Sequence, residues 1–172
     1  MDFLTTELLG FEETFHWKSE LTKHESIWLD GRLTAGEHAA LVKQNHQLDP
    51  SSPLAKLIAE NVEQKIIASP LLKSFALIRK VHSILISRSE AGDRYGWHVD
   101  NPFSKYGRRD ISFTLFLSDL SDYEGGGAHI SALAGFEGDP ASCWTYHSIS
   151  ELVIALCKAC RKWRTIGLCW MD

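Results

Sequence analysis

No apolar run in this 172-residue sequence approaches the roughly 20 residues that span a bilayer, and its start, MDFLTTELLG, has neither a basic region nor a small-residue cleavage site. A membrane span and a secretory leader are therefore not expected, and the sequence predicts a cytosolic protein. Charge of one sign is also lacking. The 18 basic and 22 acidic residues are scattered and sum to −4, which leaves no electrostatic footprint for nucleic acid or an anionic membrane and favours a small or neutral partner. Cysteine is absent from the first 142 residues; Cys143, Cys157, Cys160 and Cys169 all fall in the last 30. The CKAC run at 157–160 has the spacing of zinc sites and redox pairs. A zinc ribbon needs a second such pair, and a thioredoxin-like pair opens a helix after a strand, so reduced, partly buried structural thiols are the first reading and metal or redox work the alternative. There is no internal repeat, low-complexity tract or linker. With 44% hydrophobic residues, the chain reads as one globular domain, 1–172, with a real core.

The first 27 residues mix polar and apolar positions without a clear period and are read as one or two helices on the main body. In TAGEHAALVKQNHQL, Thr34 followed by Glu37 looks like a capping box, and Ala39, Ala40, Leu41 and Val42 supply apolar content, so a helix is expected there. A second helix is expected to start at Ser52, with Pro53 at its first position and Leu54, Leu57, Ile58, Val62 and Ile66 near helical spacing until Pro70 stops it. From Leu77 the pattern changes to short segments rich in β-branched and aromatic residues, VHSILISR and DISFTLFLSD among them. In the second of these, Ile111, Phe113, Leu115 and Leu117 share one strand face and Ser112, Thr114 and Ser118 the other. Further strands are expected at AHISAL, SCWTYHSI, ELVIAL and RTIGLCWM, with no βαβ helix between them. Helices (1–76) followed by many short strands (77–172) imply an α+β chain whose strands form an antiparallel double sheet, a jelly roll.

The stretch RYGWHVDNPF places His98 and Asp100 two apart. In a strand they point to the same side while Val99 points away, so an imidazole nitrogen and a carboxylate oxygen can reach one ion. That mixed pair suits Fe(II) in a two-histidine, one-carboxylate triad with open positions for a cosubstrate and dioxygen; it would also serve zinc. Taken alone, HxD is a weak signal, and a histidine hydrogen-bonded to a nearby aspartate at a strand end is the favoured reading.

Around this motif the chain resembles the Fe(II)- and 2-oxoglutarate-dependent dioxygenases of the PKHD hydroxylase type, prolyl-4-hydroxylase-like proteins that include bacterial iron-uptake factors. WLDGRLTAGEHAALVKQNHQL (28–48) is similar to their N-terminal helical signature, YGWHVDNPF to their metal-binding strand, and RRDISFTLFLSDLSDYEGG (108–126) to the strand and turn that follow. The resemblance implies a double-stranded β-helix, cupin-like, with N-terminal helices packed on it. It also implies His98 and Asp100 as the first two iron ligands, with 2-oxoglutarate and O2 as cosubstrates and ascorbate as the reductant that keeps iron ferrous. The reaction implied is hydroxylation of a C–H bond in a small molecule or peptidyl residue.

Past Gly127 the similarity thins. Where the family expects a segment carrying its third ligand, this chain reads TYHSISELVIALCKACRKWR. An ungapped match puts Leu152 at the histidine, and leucine cannot bind iron. One deleted residue puts Glu151 there instead, with Val153 and Leu156 on the apolar positions. His147 is the other candidate, and absence of any third ligand the remaining one. The same frame places Arg161 at the family's arginine for the far carboxylate of 2-oxoglutarate, a bidentate role suited to a guanidinium. Arg164, which opens RTIGLCWMD, competes for it, with Lys162 behind both. Ser89 stands where the family carries a tyrosine that hydrogen-bonds the cosubstrate. His129 reads as a core or surface histidine. Two further readings stay open: a catalytically impaired relative retained as a binding or regulatory module, and a zinc protein using the cysteine-rich tail.

Overall fold

The structure, a computed structural model, describes residues 2–95, 103–104, 107–109, 111–118, 127–132, 151–156 and 166–171. Its core is organised by one helix that the sequence marks at both ends. The Ser52 hydroxyl accepts from the Ala55 N–H at 3.2 Å and Pro53 occupies the first turn, where its missing N–H leaves nothing unpaired. Helix α3, Pro53–Ala68, then buries Ala55, Ile58, Val62 and Ile66 at three- and four-residue intervals, the stripe of an amphipathic helix. Pro70 does not merely end it. Ser69 caps a new helix, α4 (Pro70–Ala76), by accepting from the Leu72 N–H at 3.3 Å, and α4 contributes Leu72, whose exposure is 0%.

The first residues hold one helix, as expected, and a strand that was not. Strand β1, Asp2–Glu7, precedes α1, Phe11–Thr22. Gly10 caps α1, and Glu13 Oε2 accepts from the Gly10 N–H at 3.3 Å while Lys65 Nζ of α3 donates to the same oxygen at 2.8 Å. Trp17 of α1 and Leu9 close the cluster around Ile58, Val62, Ile66 and Leu72.

The helix expected from Thr34 onward is corrected to a brief turn followed by strands. Gly31–Thr34 is a 3-10 turn, α2 covers only Glu37–Ala40, and β3 (Lys43–Gln44) and β4 (His46–Leu48) follow. Gly36, not Thr34, is the cap. The reason lies in the pattern: Ala39 to Val42 form an unbroken apolar run that defines no helical stripe, and Leu41 is 83% exposed. From 43 onward burial alternates, with Lys43, Asn45 and Gln47 inside and Gln44 outside. Preceding these, β2 (Trp28–Asp30) pairs with β4, placing Trp28 opposite Leu48.

In the expected strand at 81–88 only β5, Ser87–Arg88, pairs in a ladder, with β4. The alternation nevertheless holds: Ile84 and Ile86 pack on the core while Leu85 is exposed. Arg88 adds a tie across the sheet, donating to both Glu25 oxygens at 2.8 and 2.7 Å with its guanidinium over the Trp28 ring. Strand β6 is Arg94–Tyr95, β7 Phe103–Ser104, β8 Gly107–Arg108, β9 Ile111–Leu115, β10 Gly127–Ala132, β11 Glu151–Leu156 and β12 Ile166–Met171. The apolar face read for β9 is the one observed, since Ile111, Phe113, Leu115 and Leu117 all pack on the core; Phe116, buried, interrupts its polar side.

All the described pairings are antiparallel. They give sheets of order β1–β11–β9, β10–β12–β6–β3 and β2–β4–β5, with β7–β8 as a hairpin. The architecture is thus mixed helix and small antiparallel sheets. The expected strand at SCWTYHSI and the cysteines Cys143, Cys157 and Cys160 lie outside the described residues. Among the described residues no helix is long and apolar enough to cross a membrane.

Because Leu72 is fully buried in the cluster to which α1, α3 and α4 contribute, Leu72→Ala is expected to lower unfolding free energy by about 2–5 kcal/mol, read as a fall in urea midpoint at unchanged slope.

Candidate functional site

Strand β6 leads directly to the HVD motif. The turn before it is fixed by the Asp93 carboxylate, which accepts from the Glu90 N–H at 3.0 Å, by the Asp93 N–H donating to Glu90 O at 2.9 Å, and by Gly92 at φ 87°, a left-handed conformation that favours glycine. His46 Nδ1 lies 3.7 Å from the same carboxylate. Beyond the turn, β6 is held on both sides: Tyr95 pairs with Lys43 of β3 and with Trp170 of β12, and Arg94 pairs with Gln44. The chain is described again at β7, where Phe103 and Ser104 pair with Arg108 and Gly107 of β8. His98 and Asp100, between these two anchors, lie outside the described residues.

Beside β6 runs a buried polar strand face that sequence reasoning missed. Lys43 of β3, Asn45 between the strands and Gln47 of β4 are 5%, 6% and 3% exposed, alternate residues turned inward. Gln47 Nε2 donates to Ser87 Oγ at 3.0 Å, its Oε1 accepts from the Thr34 hydroxyl, and Lys43 Nζ donates to Thr34 Oγ1 at 3.4 Å. One chain of polar contacts therefore joins the 3-10 turn, β3, β4 and β5. The Lys43 ammonium also lies 4.9 Å from the centre of the Tyr95 ring, its cross-strand partner. Burial pushes the Lys43 pKa down, opposed by the Asp30 carboxylate. Asp30 itself is committed elsewhere. Hydrogen bonds from the Arg32 guanidinium, then from the Arg32 N–H, hold its pKa down to about 2. Gly31 makes the arrangement possible: its N–H donates to Asn45 O at 2.8 Å, and a Cβ at 31 would sit 2.9 Å from that oxygen and collide with the Asn45 side chain. The signal that could have revealed this face is the alternation Lys43-x-Asn45-x-Gln47, which has the period of a strand.

The remaining residues read from sequence are not brought together among the described residues. Glu151 opens β11 opposite Glu7 of β1, and Leu152 lies between Thr6 and Leu115. His129 in β10 is opposite Cys169 in β12. Ser89 is exposed just after β5. His147, Arg161, Lys162 and Arg164 lie outside the described residues, and no group of three histidine, cysteine or acidic residues able to hold a metal occurs among the described ones.

No family model matches the chain. Individual relatives do. The chain is 80% identical over 135 residues, 78% of its length, to a PKHD-type hydroxylase of Synechococcus sp. (strain CC9902). It is 56% identical over 126 residues to one of Synechococcus sp. (strain CC9605) and 44% identical over 126 residues to one of Prochlorococcus marinus (strain MIT 9312), 73% of its length in each case. The chain belongs to the PKHD-type hydroxylase family. It spans 61% of the first of these PKHD-type hydroxylases and 57% of each of the other two.

Two outcomes are expected from the polar face. Gln47→Leu removes a buried amide that bonds the half-buried Thr34 hydroxyl and the exposed Ser87 hydroxyl and is expected to cost about 1 kcal/mol in urea unfolding, with Thr34→Val non-additive in the double variant. Asp30, whose folded pKa is depressed from 3.8 to about 2, contributes stability that is complete above pH 3.8 and is lost as pH falls through about 2. An NMR titration of its carboxyl carbon is expected to find that midpoint, and Arg32→Ala to return it toward 3.8.

Proposed function

We propose that the chain is an Fe(II)- and 2-oxoglutarate-dependent dioxygenase with a jelly-roll fold, hydroxylating a C–H bond of a small molecule or peptidyl residue. The observation that carries this reading is the His98-x-Asp100 motif directly after β6, a strand held between β3 and β12, in a chain 80% identical over 135 residues to a PKHD-type hydroxylase. The donor set suits the ion. A neutral imidazole and a carboxylate are the ligands that ferrous oxygenases use, and the clasped strand gives them a fixed base.

In this reading His98 and Asp100 hold the metal from one strand face, and Glu151 completes the set with a second carboxylate. Arg164 or Arg161 fixes the far carboxylate of 2-oxoglutarate. Of the two, Arg164 has the better support from the sequence, since it precedes β12, the strand paired with β6, by two residues. When bound, the ferrous centre with 2-oxoglutarate supplies oxidation by O2, so that substrate C–H becomes C–OH while 2-oxoglutarate becomes succinate and CO2, with ascorbate as the reductant that restores Fe(II). The protein's own work is to orient the substrate C–H and exclude water from it.

A second reading, a fold retained for binding without turnover, is favoured by Leu152, a residue that cannot bind iron and is in register with Leu115, and by Ser89. Metal analysis and succinate release separate the two. The purified chain is expected to take up about one Fe(II) and to release succinate only with 2-oxoglutarate and O2. His98→Ala and Asp100→Ala are each expected to reduce both by about 100-fold or more, and Glu151→His to tighten Fe(II). Metal uptake unchanged in the first two variants would exclude this site.

A further inference from the structure

Lys43 poses a physical problem. A lysine only 5% exposed carries a charge that burial disfavours, and hydrocarbon of the same volume would stabilise the fold better unless an acid stood against it. Among the described residues no carboxylate lies within ion-pair distance of it, and Asp30, which acts on it through space, is held by Arg32. What Lys43 does meet is the Thr34 hydroxyl at 3.4 Å and the face of the Tyr95 ring at 4.9 Å.

The location gives this contact its meaning. Lys43 and Tyr95 are paired across β3 and β6, and Tyr95 stands three residues before His98, within roughly 10 Å along an extended chain. Behind Lys43, the Thr34–Gln47–Ser87 contacts anchor it to three other elements. The ammonium is thus held by the Thr34 hydroxyl on one side and faces the ring of Tyr95 on the other.

We propose that Lys43 is a positioning residue for the metal site, its cation seated on the Tyr95 ring so that β6 delivers His98 and Asp100 in the geometry that binds a divalent ion. This inference rests on the reading of His98 and Asp100 as ligands. The interaction needs a positive charge and an aromatic face; packing volume alone does not replace it.

Mn(II), an EPR-visible surrogate for Fe(II), is titrated into the full chain and its Lys43→Met, Lys43→Arg, Tyr95→Phe, Tyr95→Leu, His98→Ala and Asp100→Ala variants, with thermal midpoints recorded for each. Lys43→Met is expected to weaken Mn(II) binding about tenfold while its thermal midpoint stays level or rises, because the buried charge is gone. Lys43→Arg keeps the cation and Tyr95→Phe the ring, so both are expected to bind within about threefold of the parent. Tyr95→Leu is expected to match Lys43→Met, and the double variant to be no worse than either single one. Loss of binding in His98→Ala and Asp100→Ala with parental affinity in Lys43→Met overturns the role of Lys43. So does a Lys43→Met affinity loss that tracks a fall in thermal midpoint and is not restored by Lys43→Arg, which marks a structural lysine. Parental binding in His98→Ala and Asp100→Ala instead removes the ligand reading itself, whatever Lys43→Met does.

Discussion

The constraint on which the strand region depends is the need to satisfy polar groups that point inward. Lys43, Asn45 and Gln47 occupy three successive inward positions where a strand would ordinarily place valine or isoleucine. Such a face draws on particular neighbours and is satisfied only in part, since Asn45 Oδ1 is buried without a hydrogen-bond partner among the described residues. Gly31 leaves room for the Asn45 side chain, Thr34 and Ser87 take the two ends of the Gln47 amide, and Tyr95 presents a ring to the Lys43 ammonium. These partners come from the 3-10 turn, β5 and β6, so the same contacts that satisfy the face also fix the relative placement of four elements. A hydrocarbon strand would have packed with less demand on its neighbours and with less control over where β6 lies.

The helices solve a simpler problem. Their buried residues are apolar, and α3 needs only its stripe to be covered by Trp17, Leu72 and the inner sides of the 78–86 segment and β9. The helical cluster supplies stability by non-directional burial, which tolerates small shifts, while the polar face supplies directional contacts beside β6. The two are linked through the backbone, since Leu48, one residue beyond Gln47, donates its N–H at 2.9 Å to the oxygen of Ile86, which packs on the helical cluster.

The parts of the fold legible in the sequence were those where one signal had one meaning. Ser52-Pro53 followed by apolar residues at helical spacing could only open a helix, and the alternation of Ile111, Phe113, Leu115 and Leu117 could only be a strand with an oily side. The 34–48 stretch carried two competing signals. Thr34 and Glu37 mimic a capping box, yet the Thr34 hydroxyl is used in the polar network and the apolar run after it has no helical period. Strand β1 was missed because its support is a long-range ladder with β11, from Glu7–Glu151 to Asp2–Leu156, and no local pattern records a partner so far along the chain. At the site, the HxD motif rests on its spacing in the sequence alone, since both residues lie outside the described ones. The Lys43 contact was not legible, since a lysine in a polar run looks like a solvated one until its burial is seen.

The Glu13 carboxylate holds two jobs at once, closing the first turn of α1 at the Gly10 N–H and receiving Lys65 from α3 on the same oxygen. Helix ends ordinarily fray independently of how the helix is docked. Here the start of α1 and its attachment to α3 share a single atom, so unwinding the turn loosens the attachment and undocking deprives the turn of an oriented cap. The first turn of the N-terminal helix and its docking on α3 are thereby coupled through one carboxylate oxygen.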